Sequence, residues 1–384
     1  MIARDLSNHL LRLADYFPIV SVTGPRQSGK TTLIKDTFSD FPYVLLEDPD
    51  TRFFAESDPR AFLNQYPNGA IFDEVQRVPS LFSYLQGIAD ASPNRKFILS
   101  GSQNFLLMQN ISQSLAGRVG LLTLLPFSWQ ETKFKSPRKP SEQLLNGGYP
   151  ALYQKNIPLP IFFGSYIQTY IERDVRMLKN IDNLSTFSRF IKLCAGRVGQ
   201  LLNVSSLATD AGISPHTAQS WLSILETSYL IFLLKPYHQN WGKRLTKMPK
   251  LYFTDTGLLC NLLDIANTNQ LETHYSYGAI FENGVILELM KTLFNKGERP
   301  QFYFWRDSNG KEMDLIIDQN GQMIPLEIKS SQTAMPALWK GYETWHKMVD
   351  KNPADGYLVY GGDVSQQRTN LHLLSWREIQ QIVD

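Results

Sequence analysis

Cysteine is nearly missing from this sequence: Cys194 and Cys260 are the only two in 384 residues. They stand far apart and match no metal-ligand spacing, which excludes a disulfide framework and suits a reducing cytoplasm. An excess of one charge is missing too. Lys and Arg total 38 against 36 Asp and Glu, leaving +2, so any nucleic-acid surface must be a local patch rather than a global field. No run approaches the roughly 20 apolar residues that a bilayer-spanning helix needs, and no N-terminal stretch has the apolar core of a signal peptide. A cytoplasmic chain without membrane contact is expected. What remains is a long chain, 43% hydrophobic and 19% charged, which is globular and long enough for two or three domains.

The first informative stretch is PIVSVT (18–23), a short apolar strand, followed at once by GPRQSGKTTLIKDTF. Gly24, Gly29, Lys30 and Thr31 match G-x-x-x-x-G-K-[ST] in the strand, loop and helix context that this motif needs. Glycine lets backbone N–H groups curl round phosphate, and the helix N-terminus adds a positive dipole end. Lys30 is then expected to reach the β and γ phosphates of ATP, and the Thr31 hydroxyl to ligate Mg2+. The nucleotide-binding stretch is therefore Gly24, Pro25, Arg26, Gln27, Ser28, Gly29, Lys30, Thr31 and Thr32. YVLLEDPD (43–50) reads as a second strand, and GAIFDEVQRV (69–78) as a third that ends in Asp73 and Glu74. An acid at a strand's carboxyl end can hold Mg2+, and its neighbour can polarise the attacking water. KFILSGSQ (96–103) is a fourth apolar strand, ending in Ser100, Ser102 and Gln103. Alternating short strands and helices predict a parallel α/β sheet.

Beyond LLPFSW the strand pattern stops. KFKSPRKPSEQ (133–143) is basic and Pro-containing and reads as an exposed loop, and IFFGSYIQTYIERDVRML (161–178) as an amphipathic helix in a small lid. Residues 187–234 hold a helix near FSRFIKLCAG, a short one in SSLATDAG, and a third in SPHTAQSWLSILETSYLIF. Gly212 marks the turn, Ser214 is a natural N-cap, and Pro215 takes the first helical position. This is a helix-turn-helix pattern with His216, Thr217, Gln219 and Ser220 on its outer face. Lys243, Arg244, Lys247 and Lys250 follow without an intervening acid, with Tyr237 and Trp241 interleaved. A basic hairpin there would complete a winged helix suited to DNA phosphates, although such folds also mediate protein contacts.

The last third contains YGAIFENGVILELMKTLFNKG (277–297), where Phe281, Val285, Leu289 and Leu293 recur as one row of an amphipathic helix and Glu282 and Glu288 lie off it. After the strand FYFWR comes EMDLIIDQNGQMIPLEIKSS (312–331). Asn320-Gly321 is a strong hairpin signal, and a two-residue turn pairs Gln319 with Gln322, Leu315 with Leu326 and Asp314 with Glu327. Alternation then gives one apolar face of Met313, Leu315, Ile317, Ile324, Leu326 and Ile328, and a second face carrying Asp314, Glu327 and Lys329. Two carboxylates directly opposite one another repel. A divalent cation held by both would offset this, whereas a solvated edge with Glu312 and Lys329 as an ion pair is the plainer alternative.

The ordered set GPRQSGKTTL, IFDEVQR and SLAGRV resembles the P-loop ATPases of the AAA+ superfamily. That resemblance implies Asp73 as the magnesium acid, Glu74 as the catalytic glutamate and Ser102 as a γ-phosphate sensor. It also implies that Arg118 is presented to a neighbouring subunit's nucleotide, and hence self-association. The order of helix, strand and acidic hairpin resembles the PD-(D/E)xK nuclease superfamily. This implies that Asp314, Glu327 and Glu282 bind Mg2+ or Mn2+ and that Lys329 helps activate water. Adding YIERDV, YFTDTGL, FENGVILEL and PLEIKSS, nearly the whole chain resembles prokaryotic AAA+-type ATPases with a C-terminal nuclease-like domain of unknown function. The expected architecture is an α/β P-loop NTPase domain (1–130), a helical lid (131–184), a winged-helix region (185–260) and an α/β restriction-endonuclease-like domain (261–384). The expected function is a Mg2+-dependent ATPase that acts on DNA, forked or branched forms included, with a candidate nuclease site. Two alternatives stay open: an ATP-driven switch whose C-terminal domain is an inactive docking module, and an ATPase that remodels protein.

Overall fold

The computed structural model describes residues 2–101, 114–132, 139–155, 157–175, 183–237, 247–307, 309–333, 342, 345, 356–368 and 371–384. The first sheet is built from β1 (Ile19–Thr23), β2 (Tyr43–Leu45), β3 (Gly69–Asp73), β4 (Lys96–Gly101) and β5 (Val119–Thr123). All four pairings are parallel, in the order β2-β3-β4-β1-β5. Parallel strands covered by helices on both faces read as continuous apolar runs, and β1 and β3 are accordingly buried at every position. On one face Leu33 and Ile34 of the helix Lys30–Thr37 pack with Leu10, Val22, Ile71 and Ile98. On the other, Phe62, Leu63, Leu81 and Leu85 meet Phe72 and Phe97, whose rings stack with centroids 5.5 Å apart. Asp48 and Asp58 cap the two covering helices Pro49–Ser57 and Pro59–Asn64, each with proline inside the first turn.

Part of the stretch expected to be an exposed loop is helical. Pro140 opens the helix Pro140–Asn146, which buries Leu144 and Leu145, because proline at the first helical position lacks only an N–H that would be unpaired anyway. Residues 133–138 lie outside the described residues. The expected helix over 161–178 starts at Leu159–Tyr166 and continues as a π-helical stretch, Ile167–Val175, that buries Tyr170 and Ile171. Three further helices, Leu184–Ala195, Val204–Ala211 and Pro215–Thr227, are capped by Asn183, Asn203 and Ser214, each accepting from a backbone N–H three residues on. Gly212 takes the left-handed conformation (φ +73°) between the last two. Ala218, Trp221, Leu222 and Leu225 point inward.

The second sheet has eight strands in the order β12-β13-β11-β10-β9-β8-β6-β7. They are β6 (Ile231–Pro236), β7 (Lys250–Phe253), β8 (Phe302–Arg306), β9 (Glu312–Gln319), β10 (Gln322–Lys329), β11 (Gly356–Tyr360), β12 (Gln366–Arg368) and β13 (Leu371–Ser375). β6 and β7 form the hairpin read as basic in the sequence, and β6 joins the sheet by pairing in parallel with β8. The β9–β10 register is the one the Asn-Gly turn predicts, Gln319 with Gln322 and Leu315 with Leu326. Asn320 (φ +55°) and Gly321 (φ +89°) both take positive φ, as a type I′ turn requires.

Two expectations change here. Met313 does not share a face with Leu315: it packs with Trp305 and Trp345, whereas Leu315, Ile317, Leu326 and Ile328 join the main core. The cause is a bulge. Tyr303 pairs with Ile316 and Trp305 with Met313, so Asp314 and Leu315 together oppose Phe304 alone and the period-two alternation breaks between them. The helix Tyr277–Asn295, expected to be amphipathic, is buried almost all round. It packs on β10 and also on the first sheet, where Glu288 and Lys291 form a buried pair 2.7 Å apart. Trp129 N–H donates to Glu288 Oε2 (2.5 Å), and Lys291 Nζ donates to the Phe127 carbonyl (2.9 Å). A helix with no solvated side needs polar partners on every face, and these two residues supply them at the junction.

Candidate functional site

The loop between β1 and the helix Lys30–Thr37 folds tightly over the carboxyl end of the sheet. Gly24 has φ +145°, and a Cβ there would lie 2.1 Å from the Leu124 carbonyl oxygen, so this position accepts no side chain. Gln27 (φ +61°) and Gly29 (φ +95°) also take positive φ. Lys30 is buried, and its Nζ donates to the carbonyls of Gly24 (3.0 Å) and Pro25 (2.7 Å). Burial pushes its ammonium down to about 8, against the opposing pull of Glu74 and Asp73. The loop borders a cleft of about 1000 Å³ lined by Arg26, Gln27, Gly29 to Thr32, Glu74 and, from the other wall, Pro150, Phe162 and Tyr166.

Asp73, at the carboxyl end of β3, is the hub of this region. Its Oδ2 accepts from Thr31 Oγ1 (2.8 Å) and Tyr43 OH (2.7 Å), and its Oδ1 from Ser100 Oγ and the Glu74 N–H (3.1 Å). Glu74 adopts left-handed backbone angles and accepts from Gln76 Nε2. Arg118 is part-exposed and holds Asp90 through both carboxylate oxygens, at 2.6 and 2.9 Å. Ser102 lies outside the described residues. Sequence reasoning missed Tyr43 and the link from Ser100 to Asp73. The signal available for Ser100 was a polar residue near the carboxyl end of an apolar strand, like Asp73 at the end of β3, whereas nothing marked Tyr43, which opens β2.

A second polar cluster gathers at β9 and β10. Lys329 Nζ lies 3.2 Å from Asp314 Oδ2 and 2.6 Å from Glu327 Oε1, and the Ile328 N–H also donates to Asp314 (2.8 Å). Glu282 does come toward these acids from its helix, but its direct partners are Lys250 (3.1 Å) and the Tyr252 hydroxyl. Lys250 also pairs with Glu312, which holds Arg306 at 3.0 Å. Burial pushes the Glu282 and Glu327 carboxyls up, to about 7 and about 8, and the Asp314 charge adds to both shifts. Glu327 Oε2 is buried without a hydrogen-bond partner. Among the described residues no three His, Cys, Asp or Glu side chains form a group suited to holding a metal ion. Lys250 is 2% exposed, so it belongs to this cluster rather than to the basic surface in which the sequence placed it.

On the helix Pro215–Thr227, His216 and Gln219 are exposed, while Thr217 is half-buried beside its cap Ser214. Lys247 is exposed, and Lys243, Arg244 and Trp241 lie outside the described residues. The turn after this helix reaches the nucleotide region. Tyr229 OH lies 2.8 Å from Thr23 Oγ1 at the end of β1. Tyr170, whose ring lies under the Arg26 guanidinium, donates to the Ser228 carbonyl. No helix among the described residues is long and apolar enough to cross a membrane.

Residues 16–133 match the AAA domain family, and residues 138–269 and 277–379 match two domains of unknown function, DUF8612 and DUF4143. The uncharacterized protein Rv2008c of Mycobacterium tuberculosis is 32% identical over 373 residues, which is 94% of this chain and 80% of that protein. An uncharacterized protein of Haemophilus influenzae is 22% identical over 76% of this chain and 79% of its own length. The Walker-type ATPase of Pyrococcus abyssi superposes with a TM-score of 0.49 at 14% identity, over 68% of this chain and 96% of that one. At 32% identity along almost its full length, the chain belongs to the family of the mycobacterial protein, and its AAA domain makes it a P-loop ATPase.

Proposed function

We propose that this ATPase works in the cytoplasm and couples Mg2+-dependent hydrolysis to the binding or remodelling of DNA, forked or branched forms included. The observation that carries this is the contact between Tyr229 and Thr23. It joins the turn after the helix bearing His216, Thr217 and Gln219 directly to the strand that enters the phosphate loop. The loop from Gly24 to Thr32 takes the phosphates, with Lys30 as its cation. Thr31 and Asp73, two hard-oxygen groups 2.8 Å apart, fit Mg2+ and would hold it. When bound, the ion neutralises charge on the phosphate oxygens. Glu74 is the base that orients water, and Ser102 the γ-phosphate sensor. Arg118 exchanges Asp90 for the nucleotide of a second copy, so the active form is an oligomer. Lys243, Arg244 and Lys247 complete the DNA surface of a winged-helix arrangement, with the segment 131–184 as a lid. The test is ATP turnover with single-stranded, duplex, forked and four-way DNA. Stimulation by at least one of these is expected, with Tyr229→Phe keeping basal turnover and losing the response. No stimulation and no low-salt binding for any form would refute the coupling.

Within this reading the region from 261 onward is a nuclease-like domain, in which Asp314 and Glu327 take Mg2+ or Mn2+ beside Lys329 and Glu282 joins them only by leaving Lys250, because the three acids do not form a metal-holding group as they stand. The partnerless Glu327 Oε2 supports it. Expected is Mn2+-dependent DNA cleavage that vanishes in Asp314→Ala and survives in Lys30→Ala. A second reading has its own support: Lys250 and Lys329 already pair with Glu282, Glu312, Asp314 and Glu327. On that reading the domain is an inactive docking module and the ATPase is a switch. Absence of cleavage by the wild-type chain with either ion would favour it.

A further inference from the structure

Tyr43 belongs to no nucleotide-binding motif, yet its position is a consequence of strand register. Leu45 pairs with Asp73 in the parallel β2–β3 ladder, so period two puts Tyr43 on the same sheet face as Asp73, one strand over. The offset along the strand is two residues, about 6.6 Å at the parallel rise, a distance that a phenol spans and a shorter side chain does not. The hydroxyl arrives at Asp73 Oδ2, 2.7 Å away, on the oxygen that also accepts from Thr31. The ring is held from its face by Lys35, whose Nζ sits 4.2 Å from the centroid. Lys35 lies on the same helix as Thr31, four residues on, and so fixes the ring relative to that hydroxyl. A carboxylate offers about four acceptor sites. Here four donors fill them; an ion shared with Thr31 would replace the Thr31 bond, and the other three donors, Tyr43, Ser100 and the Glu74 N–H, set the orientation of Asp73.

We infer that Tyr43 is a positioning residue that holds the Asp73 carboxylate in the orientation needed to share a divalent cation with Thr31. This rests on the reading of Asp73 as the magnesium acid. Tyr43→Phe removes one charge-assisted hydrogen bond and leaves the ring, the Lys35 contact and the strand intact. The loss corresponds to about a tenfold weakening of the ion site. The full-length chain is titrated with Mn2+ in the presence of ADP, with bound ion read by electron paramagnetic resonance, and ATP turnover is titrated with Mg2+ in parallel. In Tyr43→Phe both half-saturation points should rise about tenfold, with ADP affinity in EDTA unchanged. Asp73→Asn separates the two claims. If Asp73→Asn abolishes Mn2+ binding while Tyr43→Phe stays within about twofold of wild type, the role of Tyr43 is refuted and that of Asp73 stands. If Asp73→Asn leaves Mn2+ binding intact, both fall. A matching loss of EDTA-condition ADP affinity in Tyr43→Phe would mark a merely structural role and also overturn the inference.

Discussion

Lys30→Ala is expected to lower ATP turnover by about a hundredfold or more, the range seen when a single preorganised charge donor is removed from a reacting phosphate or acyl group. The ammonium lies under the loop and is held by two loop carbonyls, Gly24 and Pro25. Burial already pushes its pKa down to about 8, so the site holds a cation whose desolvation is only partly offset by Asp73 and Glu74. A polyphosphate supplies the missing negative charge, and the energy gained on meeting it is available to the reaction. Alanine removes the charge, takes the Lys30 donor from the Gly24 carbonyl and leaves the Pro25 carbonyl with only the Ser28 N–H at 3.4 Å. Lys30→Arg is expected to fail as well, because a planar guanidinium does not fit a pocket shaped for a compact ammonium. The check is phosphate release by the purified variants, with circular dichroism showing that each has folded. Undiminished hydrolysis in Lys30→Ala would remove the phosphate-loop assignment.

Lys291→Met should destabilise the chain by about 3–5 kcal/mol, the usual cost of removing one partner of a buried ion pair. Glu288 and Lys291 are both buried, at 1% and 4% exposure, so neither charge has water to fall back on. Without Lys291, Glu288 keeps a single backbone donor at Trp129 and the Phe127 carbonyl loses its partner. Burial already raises the pKa of the Glu288 carboxyl, and Lys291 is the main group opposing that shift. The variant is therefore expected to bury a protonated acid. Of the two lost bonds, the one to Glu288 lies within the helix Tyr277–Asn295 and the one to Phe127 crosses to the segment after the first sheet, so part of the damage falls on the junction between the nucleotide region and the C-terminal sheet. Chemical denaturation should show a lower midpoint. Adding Glu288→Leu should recover part of the loss, since two apolar groups strand fewer polar atoms than one broken pair. A shift below about 1 kcal/mol in the single variant would show that the pair does not hold the junction.

Two parts of this protein were legible in the sequence for the same reason. The phosphate loop is contiguous, and its glycines encode backbone angles that other residues resist, as Gly24 and Gly29 show. Asn320-Gly321 encodes a turn, and the turn sets the pairing of Leu315 with Leu326. Caps behaved likewise, with Ser214 and Gly212 delimiting helices at the residues where they were read. Each of these is a local conformational preference written within a few residues.

What only tertiary structure decided involves residues brought together from separate elements. Asp73 was readable as an acid at a strand end, but its donors come from the phosphate-loop helix, β2 and β4 as well as the next residue. Lys250 looked like one more basic surface residue until the second sheet buried it between Glu282 and Glu312. The bulge opposite Phe304 moved Met313 into a different core from Leu315, although nothing in EMDLIID marks an extra residue. Local sequence determines backbone angles because steric limits act within a residue or two. The environment of a charge depends on which surfaces exclude water around it, and that depends on the assembled sheets and helices.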